Sequence, residues 1–222
     1  IIPLLFDVSD EAAILAAAKI VEEKLDGRYL NILINNAGIA ISGPLMLIEM
    51  EEMRRQFEIN VFGLLRVTQV FLPLLGAVEK QLQPPGKIIN ISSVAGQLAF
   101  PFLGPYAASK HALEGLSHSL RRELLPHGID VIIIGPAGIK TPIWEKESAT
   151  EFPPEVVNSI FGRAAKRVQK MLLKNSKTGM EPDDLANRIL KVSEKKRPKI
   201  RYAFAKNYWM EWFIPRYLMS AR

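Results

Sequence analysis

LNILINNAG, residues 30–38, joins a continuous apolar run to a polar loop that contains a glycine. Two further stretches repeat this pattern, because KIINIS at residues 87–92 is followed by Ser93, and DVIII at residues 130–134 is followed by GPAGIKT. Apolar runs of this length are typical of parallel strands that are buried on both faces. The three loops are therefore expected at one edge of a sheet, where open α/β folds bind their ligands.

Strand and helix signals alternate along the rest of the chain. The apolar runs LLFDV at 4–8 and IRYAF at 200–204 predict two more strands. Helical patterns lie between the runs, at residues 10–25, 49–75, 106–125, 154–174 and 182–194, and Ser9 or Asp10 is placed to cap the first. We therefore predict an α/β fold, a doubly wound, Rossmann-like parallel sheet in three α/β/α layers with right-handed crossovers.

The composition is that of an ordinary globular core. The chain has 222 residues, of which 48% are hydrophobic and 23% charged, and we expect a single domain over residues 1–222. The net charge of +6 fits an anionic cofactor or substrate, although the basic residues are scattered over several helices. The absence of cysteine excludes disulfides and thiolate chemistry. Three histidines show no metal-ligand spacing, so no metal is expected: His111, His118 and His127.

Two segments raise the question of membrane or nucleic-acid partners. No apolar run approaches the roughly 18 residues that a membrane span needs, and the opening IIPLLF lacks the basic flank of a signal peptide. A soluble, cytoplasmic protein is expected. The basic cluster KKRPKIR at 195–201 favours a solvated connector over a nucleic-acid patch, because it lies between a helical segment and an apolar run.

Tyr106 and Lys110 stand four residues apart in a predicted helix. Positions i and i+4 share one face, so the ammonium of Lys110 can lie beside the phenol of Tyr106 and favour its ionised form. A phenol with an ordinary pKa of about 10 needs such a neighbour for proton transfer near neutrality. The alternative is a solvated helix face on which the two side chains merely pack.

The order and spacing of several motifs resemble the short-chain dehydrogenase/reductase family. The motifs are NNAG, the asparagine in FEINVFG at 57–63, a serine thirteen residues before the tyrosine of YxxxK, and a proline-containing loop that ends in IKT. The overall pattern is similar to the steroid and retinol dehydrogenase branch. The resemblance implies NAD or NADP as cofactor without distinguishing them. The family's TGxxxGxG phosphate loop would lie upstream of Ile1, so the first βα units are expected to be absent from this sequence.

The resemblance also implies a catalytic set. Tyr106 would be the general acid or base, and Lys110 would lower its pKa and bind the nicotinamide ribose. Ser93 would donate to the substrate oxygen; its alternative is a cap, a role that suits Ser92 better. Asn60 would connect a water to Lys110, and its alternative is a buried bond from its side chain to the backbone.

The cofactor contacts implied by the resemblance come from three loops and from the predicted helix that carries Tyr106 and Lys110. They are Asp7, Val8, Asn35, Ala37, Gly38, Tyr106, Lys110, Pro136, Ala137, Gly138, Ile139 and Thr141. The glycine of NNAG is expected to let the backbone approach the cofactor and adopt a positive φ. Ala137 stands where the family more often has glycine, which puts its own contact in doubt.

A hydrophobic alcohol or ketone is the expected substrate. Substrate contacts are assigned to Ser93, Tyr106, Ile143 and Trp144. Large apolar residues are expected to surround them, in substrate-loop helices at about 142–180 and in the segment before the tyrosine: Phe152, Val156, Val157, Ile160, Phe161, Leu98, Phe100 and Phe102. The aromatic tail at 205–222 could cover the site, pack on a second subunit or rest on a membrane, and packing is the default. By resemblance, a homodimer or homotetramer forms through the helices that carry Asn60 and Tyr106.

These observations predict an NAD(P)-dependent oxidoreductase that interconverts a secondary alcohol and a ketone. The competing hypothesis is a catalytically inactive nucleotide-binding or scaffold protein of the same fold, because the sequence contains no glycine-rich phosphate loop. Nucleic-acid binding through residues 195–201 is a third and weaker hypothesis.

Overall fold

Four parallel strands form the sheet of this protein. The computed structural model describes residues 1–143 and 152–217, without the side chains of residues 175, 216 and 217. The strands stand side by side in chain order: β1 Ile32–Asn35, β2 Lys87–Ile91, β3 Asp130–Pro136 and β4 Arg201–Phe204. The register pairs Asn35 with Asn90 and Ile91 with Ile134. The strand ends are therefore aligned, and the loops that follow them emerge at one edge.

Helices account for most of the remaining chain. They are α1 Glu11–Leu25, α2 Met50–Phe57, α3 Leu64–Phe71, α4 Gly104–Glu123, α5 Pro154–Val157, α6 Gly162–Thr178, α7 Pro182–Ser193 and α8 Ile214–Tyr217. A π-helical segment, Glu58–Gly63, joins α2 to α3, and a second one, Trp209–Phe213, precedes α8. The helix predicted over 49–75 is thus continuous only through a π-helical segment, and the one predicted over 154–174 is two helices.

Both faces of the sheet are buried, as the continuous apolar strands predict. On one face, Ile88 and Val131 pack with Leu75 and Leu124, which follow α3 and α4. On the other face, five residues form a second core with the help of α7: Ile89, Ile91, Ile132, Ile134 and Val192. Neighbouring strand residues point to opposite faces, so β1, β2 and β3 each contribute to both cores. The three-layer α/β/α arrangement is confirmed.

Residues 4–8 do not form the predicted strand. This segment pairs with no strand in the described part of the chain, although Phe6 and Val8 pack on the apolar core between α1 and α3. In the doubly wound order 3-2-1-4-5-6, two strands lie between the third strand and the fourth. A segment in the third position would pair with a strand other than β1. Residues 4–8 therefore show the alternating burial of a strand but make no ladder hydrogen bonds with β1. The prediction was wrong because a continuous apolar run does not show whether a pairing partner is present.

Some of the other predictions fall on described residues and some do not. Asp10 caps α1, because its carboxylate accepts a hydrogen bond from the Ala13 amide at 3.1 Å. The predicted substrate contact Trp144 and the last five residues of the tail, 218–222, lie outside the described residues. Within residues 1–143 and 152–217, no helix combines the length and apolarity that crossing a membrane requires.

Candidate active site

A cavity of about 440 Å³ opens at the carboxyl edge of the sheet. The loops after β1, β2 and β3 all contribute to its wall, as the strand-end rule predicts. Ten of the residues predicted from the sequence line it: Gly38, Ser93, Tyr106, Lys110, Pro136, Ala137, Gly138, Ile139, Thr141 and Ile143. The structure therefore brings most of the predicted site into one concave space.

Tyr106 and Lys110 are buried on one face of α4, next to the cavity. Their residues are only 8% and 6% exposed, which excludes the solvated helix face considered above. The Lys110 ammonium lies 5.7 Å from the centre of the Tyr106 ring and donates a hydrogen bond to the carbonyl of Ile91 at 2.8 Å. Because Ile91 ends β2, this bond fixes the lysine at the point where the sheet meets the cavity.

Burial controls the acidity of both groups. It raises the pKa of Tyr106, since desolvation disfavours the phenolate, and a hydrogen bond from Ser93 opposes this effect. Burial lowers the pKa of Lys110 to about 8, and the negative charge of Glu114 opposes that change. From the sequence, we expected Lys110 to lower the pKa of Tyr106. In the folded chain, desolvation of the phenol has the largest effect on this pKa and raises it.

The lowered pKa of Lys110 predicts a pH dependence of stability. Between about pH 8 and 10.5, the folded state binds fewer protons at Lys110 than the unfolded chain, so the free energy of unfolding rises with pH. At about 1.4 kcal/mol per pKa unit, the gain from pH 8 to 10 is roughly 2 kcal/mol. Denaturant titrations of the wild type and Lys110→Met should show this gain in the wild type only. Parallel pH profiles would contradict it.

Ser93 lies at the start of the turn that follows β2. Its hydroxyl oxygen accepts a hydrogen bond from the Ala95 amide at 3.1 Å, so Ser93 is the capping residue of this turn. The alternative role assigned above to Ser92 was therefore misplaced. The Ser93 hydroxyl is 3.5 Å from the Pro136 carbonyl, at the long limit of a hydrogen bond, and also bonds to Tyr106. Capping and contact with the tyrosine are compatible because the same oxygen serves both.

Asn60 lies in the π-helical segment between α2 and α3, behind the cavity wall. Its side chain accepts from the amide of Ile39 at 2.9 Å and donates to the carbonyl of the same residue at 3.0 Å. It also donates to the Ser109 hydroxyl at 3.2 Å. These are the buried bonds to backbone considered as the alternative role. They fasten the loop after β1 to α4, the helix that carries Tyr106.

Gly38 has a packing role in place of the predicted conformational one. Its φ is not positive, so that expectation was wrong. A Cβ atom at this position would lie 3.1 Å from the Asn60 side-chain oxygen, tighter than ordinary van der Waals contact. The glycine therefore allows the loop after β1 to sit close to Asn60 while it lines the cavity.

Four predicted cofactor residues lie away from this cavity. Val8, Asn35 and Ala37 line a smaller one of about 190 Å³ between the N-terminal segment and β1, and Asp7 lines neither. Asp7 is exposed, and hydrogen bonds from the backbone and hydroxyl of Ser9 hold its pKa below the usual value. Their cofactor contacts stay predictions.

The Asn35 amide belongs to a buried polar chain that crosses the sheet. Its nitrogen donates to the Thr68 hydroxyl at 3.0 Å and to the Asn90 side-chain oxygen at 2.8 Å. Asn90 in turn donates to the Ser117 hydroxyl at 2.8 Å. This chain links α3, two strands and α4, and buried polar groups of this kind require such partners. Both donor positions of the Asn35 amide nitrogen are therefore used by hydrogen bonds inside the protein.

A buried ion pair that was not predicted from the sequence lies beneath the site. Glu114 accepts hydrogen bonds from Nε of Arg201 at both carboxylate oxygens, each at 3.0 Å, and from the Ser92 hydroxyl at 2.8 Å. Arg201 also donates to the Ser93 carbonyl at 3.0 Å, and its guanidinium lies 4.5 Å from the Trp212 ring centre. The pair therefore connects α4, the turn that begins at Ser93, β4 and the tail.

The signal for this pair was present in the sequence. Glu114 stands four residues after Lys110 and eight after Tyr106, so all three share one face of α4. Arg201 was predicted both in the strand at 200–204, which is confirmed, and in the solvated connector at 195–201, which is wrong for this residue because its side chain is only 10% exposed. A Cβ atom on Gly135 would lie 2.3 Å from this guanidinium, so the glycine makes room for it.

The outer part of the cavity is apolar. Of the apolar residues predicted to surround the substrate, Phe100 and Ile143 line the cavity, whereas Leu98 and Val156 are buried and Ile160 is 91% exposed. Other apolar lining residues were not singled out from the sequence: Leu103, Met171, Leu172, Leu185 and Met210. These come from the residue that precedes α4, from α6 and α7, and from the tail, so no local pattern links them.

The inner part of the cavity fits the nicotinamide ribose of NAD or NADP. The Lys110 ammonium has three N–H donors, and among the described residues only the Ile91 carbonyl accepts from it. The remaining donors suit ribose hydroxyls, and Thr141 and Asn36 add polar groups along the same wall. Residues 136–139 form another edge of the same cavity.

Comparison with known proteins agrees with this geometry. The sequence model of the family described as short chain dehydrogenase matches residues 1–151. The NADPH-dependent 3-dehydrocapnine reductase of Ornithobacterium rhinotracheale is 38% identical over 202 residues, which are 91% of this chain and 70% of that protein. The 3-ketodihydrosphingosine reductase of Bacteroides thetaiotaomicron is 33% identical, with coverage of 89% and 70%.

A solved structure shows the same fold. It is the short-chain dehydrogenase/reductase of Burkholderia phymatum in complex with NAD, with a TM-score of 0.72, 28% identity, and coverage of 88% of this chain and 68% of that one. The sheet, the cavity and these relatives define an NAD(P)-dependent oxidoreductase. The chain belongs to the short-chain dehydrogenase/reductase family.

Proposed function

We propose that this protein interconverts a secondary alcohol and a ketone, with Tyr106 as the general acid and base. The observation that carries the proposal is the buried Tyr106 side chain at the cavity wall, whose hydroxyl bonds to Ser93 and whose ring centre lies 5.7 Å from the Lys110 ammonium. The nicotinamide, when bound, donates or accepts the hydride. A proton must then be delivered to the substrate oxygen or removed from it, and Tyr106 is the titratable group in position to do so.

The neighbouring residues have distinct tasks in this proposal. The Ser93 hydroxyl donates to the substrate oxygen and stabilises the charge that develops there. The positive charge of Lys110 favours the phenolate once substrate has displaced water from the cavity. Asn60 holds the loop after β1 against α4, and its relay of protons through water to Lys110 is part of the proposal. The chain acts as one NAD(P)-binding domain.

A hydrophobic substrate is proposed from the apolar outer wall. Side chains from four elements converge there, and they offer few hydrogen-bonding partners to a polar ligand. The name of one relative given above specifies a keto compound, which supports the carbonyl half of the proposal. We also propose self-association through the helices that carry Asn60 and Tyr106, supported by the exposed Met50 and Phe62.

A series of ketones with lengthening alkyl chains tests the substrate proposal. With NADPH or NADH, kcat/KM should rise about threefold to fourfold per methylene until the cavity is filled, since each buried methylene contributes about 0.8 kcal/mol. Ile143→Ser should reduce this slope, because Ile143 lines the cavity. Leu82→Ser, at a position 79% exposed and outside the cavity, should leave it unchanged. A rate independent of chain length would refute a hydrophobic substrate.

A further inference from the structure

Helix α6 concentrates positive charge to an unusual degree. Its 17 residues, GRAAKRVQKMLLKNSKT, contain six basic side chains and no acidic one: Arg163, Lys166, Arg167, Lys170, Lys174 and Lys177. The whole chain has 29 basic residues and a net charge of +6. The view that basic residues are merely scattered over many helices is therefore wrong for this helix.

The six cations form one outward stripe, which we call the basic face of α6. Their spacings of one, three and four residues place them on the same side of a helix. All six are exposed, whereas Ala165, Leu172 and Ser176 on the opposite side are buried. Among residues 1–143 and 152–217, no carboxylate forms an ion pair with any of them. The charge of this face is thus uncompensated by the described protein.

Exposed apolar side chains lie beside this face. Met171, on the flank of α6, is 47% exposed and lines the large cavity together with Met210, which is 63% exposed. Trp209, next in the chain, is 62% exposed. The tail that carries these residues is held near the end of α6, because the Lys206 ammonium donates to the Thr178 carbonyl at 3.2 Å. Positive and apolar surfaces therefore adjoin at the cavity mouth.

We propose that the basic face of α6 binds this protein to an anionic lipid surface, with the cavity mouth beside the bilayer. A row of cations flanked by exposed methionine and tryptophan matches an interface of anionic headgroups above acyl chains. Nucleic acid would use the cations equally well but would leave the apolar side chains in water. The adjoining apolar surface is what favours lipid over nucleic acid.

Vesicle co-sedimentation tests this binding directly, without substrate or cofactor. The full chain should bind phosphatidylcholine vesicles that contain phosphatidylserine, should bind pure phosphatidylcholine far more weakly, and should dissociate as salt is raised. Lys166→Gln, Lys170→Gln and Lys174→Gln combined should weaken binding about 100-fold, at about fivefold per cation removed. Trp209→Ser should weaken it severalfold with an unchanged salt dependence, because it removes an apolar contact only.

A matched variant separates position from net charge. Lys19→Gln, Lys24→Gln and Lys80→Gln combined remove the same charge from exposed positions outside α6, and binding should be retained. Equal loss in both triple variants would overturn the assignment to α6, and so would failure of the wild type to bind anionic vesicles. Tighter binding to duplex DNA than to vesicles would identify nucleic acid as the partner instead. The α6 variant should keep its rate on a short-chain ketone, so this test and that of the reaction fail independently.

Discussion

Tyr106→Phe is expected to lower kcat/KM for ketone reduction by about three orders of magnitude, within the range that general acid catalysis contributes. Phenylalanine keeps the ring but removes the only titratable group that we place at the substrate oxygen. The ring is buried against Ala40, Ala95 and Ala107, so the variant retains these contacts and should fold. The rate loss should therefore come without a comparable loss of stability, which thermal unfolding of the same samples measures.

Tyr202→Phe provides the matched control for this experiment. Tyr202 is on β4, packs in the second core and bonds through its hydroxyl to the Lys199 amide at 2.9 Å, and it does not line the cavity. Its loss of a hydroxyl should leave kcat/KM within a factor of about two, because the change is remote from the proton transfer. A Tyr106→Phe variant with kcat/KM within tenfold of the wild-type value would refute the proposed mechanism. The hypothesis of an inactive scaffold would be supported only if the wild type also showed no turnover.

Arg201→Met is expected to cost about 3–5 kcal/mol of stability, because it leaves the Glu114 carboxylate buried without its cation. The Glu114 side chain is only 6% exposed, and Arg201 supplies bonds to both of its oxygens. For a chain of this size the loss corresponds to a Tm lower by about 10 °C. The bond from Arg201 to the Ser93 carbonyl is also lost, so kcat/KM should fall along with Tm.

An exposed ion pair calibrates this effect. Arg54 pairs with Glu51 at side-chain exposures of 69% and 81%, and Arg54→Met should cost less than about 1 kcal/mol. Combining Arg201→Met with Glu114→Met should restore part of the stability, since no unpaired charge then remains in the interior. If Arg201→Met lowered the stability no more than Arg54→Met does, the buried pair would not support the turn that begins at Ser93.

The residues that the sequence correctly placed near one another share a local signal. The loops after β1, β2 and β3 were placed together because parallel strands end at a common edge, and the cavity lies there. Tyr106 and Lys110 were placed on one face by helical periodicity alone. The same periodicity places Glu114 on this face, but the role of Glu114 depends on Arg201, which is 87 residues away in the chain.

The errors share a different cause, which is dependence on distant partners. Residues 4–8 have the pattern of a strand without pairing as one, and Gly38 is constrained by the Asn60 side chain rather than by its own φ. The pKa of Tyr106 follows the same rule, because burial acts on it more strongly than the neighbouring lysine does. Neither pairing nor desolvation can be read from a local run of letters.

Local patterns in the sequence were enough to predict the layered α/β architecture, the edge of the sheet at which the cavity opens and the face of α4 that carries Tyr106 and Lys110. Continuous apolar runs mark buried parallel strands, and a period of 3.6 residues marks one face of a helix. The tertiary structure was needed to show that Ser93 both caps its turn and reaches the tyrosine, and that Arg201 is buried against Glu114. It was also needed to show that the basic face of α6 lies beside the apolar mouth of the cavity. These features join residues far apart in the chain, and their energies arise from shared burial.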